Sequence, residues 1–73
     1  MQKGDVIVYT VIFHRRNNEP DEIYYYNEYK DALYHYNLFK NDNDPEYKDM
    51  YTSMDINIEK GALSLKIDNF VFK

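Results

Sequence analysis

The chain has no cysteine and no tryptophan, and only two glycines and two prolines among its 73 residues. Without thiols there is no disulfide framework and no thiolate metal site, so stability has to come from packing, with self-association as a further source. Gly4 and Gly61 stand alone, so no glycine-rich loop exists to cradle a phosphate, and nucleotide-dependent chemistry is not expected. Long apolar runs are also missing. The longest, VIVYTVIF at residues 6–13, is eight residues, against the roughly 18 to 20 that a membrane-spanning helix requires. No basic segment followed by an apolar one opens the sequence, which predicts a protein neither secreted nor membrane-bound, suited to a reducing cytoplasm. A chain of this length buries only about 60 to 65 % of its unfolded surface and cannot be divided into two cores, so one domain over residues 1–73 is expected.

Net charge is −4, unevenly distributed. From Glu19 to Asp49 there are nine acids against three lysines, a segment net of −6, and the two flanks together carry +2. An acidic middle repels phosphate and removes the attraction on which most nucleic-acid binding depends. Direct DNA or RNA binding is therefore not expected.

DVIVYTVIFHR at 5–15 alternates Ile7, Tyr9, Val11 and Phe13 on one face with Val6, Val8, Thr10 and Ile12 on the other. β-branched and aromatic residues dominate and both faces are largely apolar, which predicts a central strand. RNNEPDE supplies turn formers and IYYY at 23–26 resumes extended structure, making a hairpin. Asn27 can cap a helix that begins with Glu28, and Tyr29, Ala32, Leu33, Tyr36 and Phe39 recur at three and four residues to form its buried stripe. Tyr34 and Leu38, four apart, fall on its wet side. NDNDPEYKD ends the helix.

YTSMDINIE at 51–59 alternates mostly apolar even positions (Thr52, Met54, Ile56, Ile58) with mostly polar odd ones. Lys60 and Gly61 are placed in a two-residue turn, and Leu63, Leu65 and Ile67 continue the apolar face. Phe70 and Phe72 have the wrong parity, which predicts a bulge near Asp68 and Asn69. The fold class is α+β: a four-stranded, mostly antiparallel sheet with one helix across it, in the order ββαββ. A β-grasp-like arrangement with both terminal strands central would suit the two-sided apolar character of the first strand.

No catalytic set emerges. His14 and His35 have no cysteine to activate and no serine in a nucleophile-elbow context, and they read as a strand-end and a helix-flank histidine. The acids of DNDPEYKDMYTS suggest a calcium loop, but Tyr47 stands where glycine is required and Ser53 where a bidentate glutamate belongs. No catalytic residue, no cofactor and no metal site is expected.

Nine tyrosines remain to be placed, six of them within residues 24–39. Tyr9, Tyr29 and Tyr36 fit apolar faces as core residues whose hydroxyls reach an edge. Tyr24 and Tyr26 face one side of their strand and Tyr25 the other, so the core cannot hold all three. Tyr34, Tyr47 and Tyr51 have no core position. Tyrosine offers a large contact area on two rotatable bonds, which enriches it in protein interfaces. A partner-binding face is therefore expected from Glu19, Asp21, Glu22, Asp42, Asp44, Glu46 and Asp49 as phosphate-like charges, with Tyr34, Leu38, Tyr47 and Tyr51 as apolar anchors.

The abundance of Asn, Asp, Lys, Tyr and Ile is what AT-rich coding sequence produces, pointing to a low-GC bacterium or one of its phages. In size, acidity, tyrosine content, absence of cysteine and α+β order the chain resembles the small acidic proteins that phages encode against bacterial defence, such as anti-CRISPR and anti-restriction inhibitors. That resemblance implies a non-enzymatic inhibitor in the bacterial host cytoplasm. It would bind a protein partner with a basic surface, such as a nuclease complex, with carboxylates standing in for nucleic-acid phosphates. The alternatives are a homodimeric structural module, joined through Val6, Val8 and Ile12, and a nucleotide-binding module in which tyrosines stack on the ligand. Arg15 and Arg16 are the only arginines available to the latter.

Overall fold

A computed structural model describes residues 6–42 and 44–73. Strand β1 (Ile7–Arg15) pairs on one side with β2 (Glu22–Tyr26) and on the other with β3 (Tyr51–Lys60), which pairs in turn with β4 (Leu63–Val71). All three pairings are antiparallel and the spatial order is β2-β1-β3-β4. Between β2 and β3 the chain forms α1 (Tyr29–Asn41) and a single-turn helix, α2 (Tyr47–Met50). The architecture is thus α+β, with a second short helix in the segment expected to be only a helix end.

β1 is central, as its two apolar faces require. The C-terminal strand is not, which corrects the β-grasp-like arrangement. β4 carries Lys66, Asp68 and Asn69 on a largely exposed strand, an edge composition, and β3 takes the place beside β1. The expected strand start at Asp5 lies outside the described residues.

Both hairpins owe their turns to backbone chemistry. Asn17 and Asn18 both have φ of 62°, and the Glu19 N–H donates to the Arg16 carbonyl at 3.3 Å. Two successive left-handed residues make the I′ type of turn whose twist matches a hairpin, and asparagine tolerates that region better than branched residues do. The second turn is Gly61 and Ala62, since Lys60 pairs with Leu63. Gly61, with φ of 61°, holds the first central position, where a II′ turn demands glycine. The turn lies one residue beyond its expected place.

Across the helix-covered face the register sets residues in rows: Glu22, Phe13, Met54 and Phe70; then Tyr24, Val11, Ile56 and Asp68; then Tyr26, Tyr9, Ile58 and Leu65; then Ile7, Lys60 and Leu63 at the far end. α1 lies over the first of these rows. Its Ala32 and Tyr36 join Val11, Phe13, Tyr51, Met54, Ile56 and Phe72 in the core, with Leu33 and Phe39 packed alongside. Glu28, not Asn27, is the cap residue, and no side chain caps the helix.

Two register shifts explain what simple alternation misplaces. Lys66 lies opposite Asn57 while Asp68 lies opposite Ile56, leaving Ile67 as the extra residue. This bulge, one residue before the expected place, returns Phe70 and Phe72 to the core side. The second shift sets Arg15 opposite Tyr51 and His14 opposite Ser53, with Thr52 left over. It turns Tyr51 inward, and its ring lies 5.0 Å from Phe13 and 5.8 Å from Phe72. Among the described residues no helix is long and apolar enough to cross a membrane.

Candidate functional site: a tyrosine–leucine ridge on α1

The stripe that buries Ala32 and Tyr36 leaves Tyr34 and Leu38 on the outer side of α1, where they remain 71 % and 52 % exposed. One helical turn apart, they form a continuous apolar ridge. Shallow hollows flank it. One, of about 460 Å³, lies toward β2 and is bounded by Tyr24, Tyr26, Asp31 and His35 together with the ridge. The other, of about 440 Å³, runs along the helix past Asn37, Asn41 and Asp42. Each hollow has a carboxylate, and among the described residues neither is lined by a lysine or an arginine.

The floor of the first hollow is fixed. His35 packs with its ring 4.9 Å from Tyr24, 5.4 Å from Phe39 and 5.5 Å from Phe13. Burial holds its pKa below the usual histidine value, so it is neutral at pH 7. Its Nδ1 lies 2.5 Å from the Tyr26 hydroxyl. The assignment that satisfies both groups has Tyr26 donating to Nδ1 and the ring proton on Nε2. Tyr24 in turn donates to Glu22 at 3.0 Å, and that charge-assisted bond raises the phenol's pKa. The rings lining the hollow are therefore anchored from behind.

The expected acidic residues gather at one end of the sheet, the end opposite the β3–β4 turn. Arg16 joins their two segments: its backbone N–H donates to the Met50 carbonyl at 3.1 Å and its guanidinium to the Lys48 carbonyl. Several acids are engaged locally. Glu22 accepts from Tyr51 at 3.2 Å and faces Arg15 at 3.7 Å, and Glu19 lies 3.9 Å from the same arginine. Asp21 meets His14, Asp42 accepts the Tyr47 hydroxyl at 2.9 Å, and the Asp44 carboxylate accepts the Glu46 N–H at 2.9 Å. Glu46, the residue before α2, and Asp49 within it are exposed. Lys40, Lys48 and Lys73 share the surroundings of Asp42 and Asp44, so this end is mixed in sign.

Tyr51 is corrected outright. Only 6 % exposed, it is a core ring, not an interface anchor. Tyr47 is half-buried, with its ring 4.8 Å from Phe39. Asp31, Tyr24 and His35, absent from the expected set, line the hollow beside Tyr34 and Leu38. The signal was there: Asp31 and His35 lie within one helical turn of Tyr34, on the side where the helix meets β2.

On the helix-free face His14 is held between two carboxylates, Nε2 at 2.8 Å from Asp55 and Nδ1 at 3.2 Å from Asp21. Ser53 stands opposite His14 in the register, which brings the three residue types of a hydrolytic triad together. The arrangement is wrong for one, because both ring nitrogens already face carboxylates and none is free to take a serine proton. Among the described residues no group of three His, Cys, Asp or Glu side chains could hold a metal ion. No protein-family model matches the chain, and no curated protein and no solved structure matches it either.

Proposed function

We propose that the protein is a non-enzymatic binding protein, a phage-type inhibitor acting in the bacterial cytoplasm, that occludes a basic surface of a nucleic-acid-processing or defence complex. The observation that carries this reading is the Tyr34–Leu38 ridge, with Asp31 in one flanking hollow and Asp42 in the other and, among the described residues, no lysine or arginine lining either. Aromatic faces beside a carboxylate suit a guanidinium or ammonium group, which is attracted to both the ring and the charge. The ridge would supply the desolvated apolar centre and the net charge of −4 the steering field. The same lack of cations counts against nucleotide binding in these hollows, since no described residue lining them neutralises a phosphate.

The test is capture from a bacterial lysate with the immobilised protein at low and at high salt. The reading expects a basic nucleic-acid-processing protein that is retained at low salt, released at high salt, and inhibited when the two are mixed. Retention of acidic or neutral proteins only, indifferent to salt, would count against it.

A further inference from the structure

The helix covers only part of its face of the sheet. A domain of this length packed compactly has a radius of gyration of about 11 Å, whereas here it is 13.4 Å, in a body 49 × 26 × 14 Å. The excess length is the β3–β4 hairpin with the start of β1 beside it. There the rows that α1 roofs elsewhere run on bare: Leu65 beside Ile58, and Leu63 and Ile7 on either side of Lys60. Leu63 and Leu65 are 68 % and 65 % exposed, and Ile7 and the bulged Ile67 are also exposed. A sheet face built of such residues needs a second layer.

We infer that the second layer is another copy of this chain, the two hairpin ends packing face to face about a two-fold axis. The exposed parts of Ile7, Leu63, Leu65 and Ile67 amount to roughly 400 Å² of mostly apolar surface, within the ~300–600 Å² of the largest patches on monomers and enough for the centre of an interface of ~800 Å² per partner. Charge also favours self-pairing. Lys60 lies at one end of the patch, and Asp68, half-exposed although its carboxylate already accepts from Tyr36 at 3.1 Å and faces Lys40 at 3.5 Å, lies at the other, beyond Leu65. A two-fold axis running across the strands reverses the row order in the partner, so each Lys60 meets an Asp68. Edge-to-edge strand pairing is the weaker route, since Lys66 and the bulge at Ile67 blunt the β4 edge. This face lies apart from the α1 ridge, so the dimer leaves both ridges free and does not depend on the proposed inhibitor function.

Sedimentation equilibrium across a concentration series tests the inference, with neighbouring positions on opposite faces as the discriminating pair. Wild-type protein is expected at twice the 8.9 kDa chain mass, and Leu65→Lys at the chain mass with an unchanged circular dichroism spectrum. Ser64→Lys, which adds the same charge to the other face of the same strand, is expected to remain dimeric, as is Tyr34→Ala/Leu38→Ala. Should Leu65→Lys fail to fold, Leu63→Lys at the hairpin end replaces it. A wild-type chain that stays monomeric at millimolar concentration overturns the inference and leaves the face to a different protein. Equal dissociation by Leu65→Lys and Ser64→Lys overturns it too, because the helix-side face would then not be the contact.

Discussion

His14 and Asp55 meet across the two central strands, Nε2 to Oδ2 at 2.8 Å, with Asp55 only 6 % exposed although neither α1 nor α2 covers that side of the sheet. Asn69 donates to the same carboxylate from β4 at 2.6 Å, and Lys66 lies 3.7 Å from it. The hydrogen bond to Asp55 raises the histidine pKa, against the opposing effect of its own partial burial. Burial alone would raise the Asp55 pKa, but the hydrogen bonds from His14 and Asn69 bring it below the usual value. The pair ties β1, β3 and β4 together and, through Asp21, the segment leading into β2.

Stability should accordingly depend on pH in a defined direction. A raised histidine pKa contributes stability that is complete below its unfolded value of 6.5 and is lost as pH rises through the higher folded value. A lowered aspartate pKa contributes stability that is present above 3.8 and is lost as pH falls through the lower folded value. The contribution of the pair is therefore greatest between these limits. Urea unfolding of wild type and His14→Gln across pH 3 to 9 (a span chosen to bracket both ordinary pKa values) should show the largest difference near pH 5 to 6. A difference that grows toward pH 9 would contradict the assignment.

The inward turn of Tyr51 separates fold from interface. Tyr51→Ala should cost about 3 to 5 kcal/mol, as for other large buried rings, and Tyr51→Phe about 0.5 to 1.5 kcal/mol for the lost bond to Glu22. Tyr34→Ala and Leu38→Ala should each stay within about 0.5 kcal/mol of wild type. Chemical denaturation of the four variants checks the division.

The first hairpin turn gives a backbone test. At Asn17 and Asn18 the left-handed conformation costs a β-branched residue about 1 to 2 kcal/mol, so Asn17→Val should lose that much in urea unfolding. Asn17→Gly, free of the steric term, should match or exceed wild type.

Much of this fold was legible because alternation and helical spacing are local signals. β1 declared itself through two apolar faces, α1 through Ala32 and Tyr36 at the right period, and the late bulge through the parity of Phe70 and Phe72. What alternation could not carry was the extra residue at Thr52, which reverses the face of Tyr51 without any sequence cue such as glycine. Nor could it show Asp55 as buried, because a polar residue on a half-wet strand reads as solvent-facing until its partner, forty-one positions earlier, is brought beside it. The ridge of Tyr34 and Leu38 was readable from helix geometry alone. Asp31 and His35, within a turn of Tyr34, were as readable, whereas Tyr24 joined them only once α1 and β2 were placed side by side.

The outer side of α1 is the proposed docking face. Its most direct test is the dissociation constant, by isothermal titration, between the captured partner and the Tyr34→Ala/Leu38→Ala variant. Loss of an interface anchor costs at least ~2 kcal/mol, so binding about thirtyfold weaker or worse is expected, with folding stability unchanged. Affinity within twofold of wild type would place the contact elsewhere on the molecule and contradict the account.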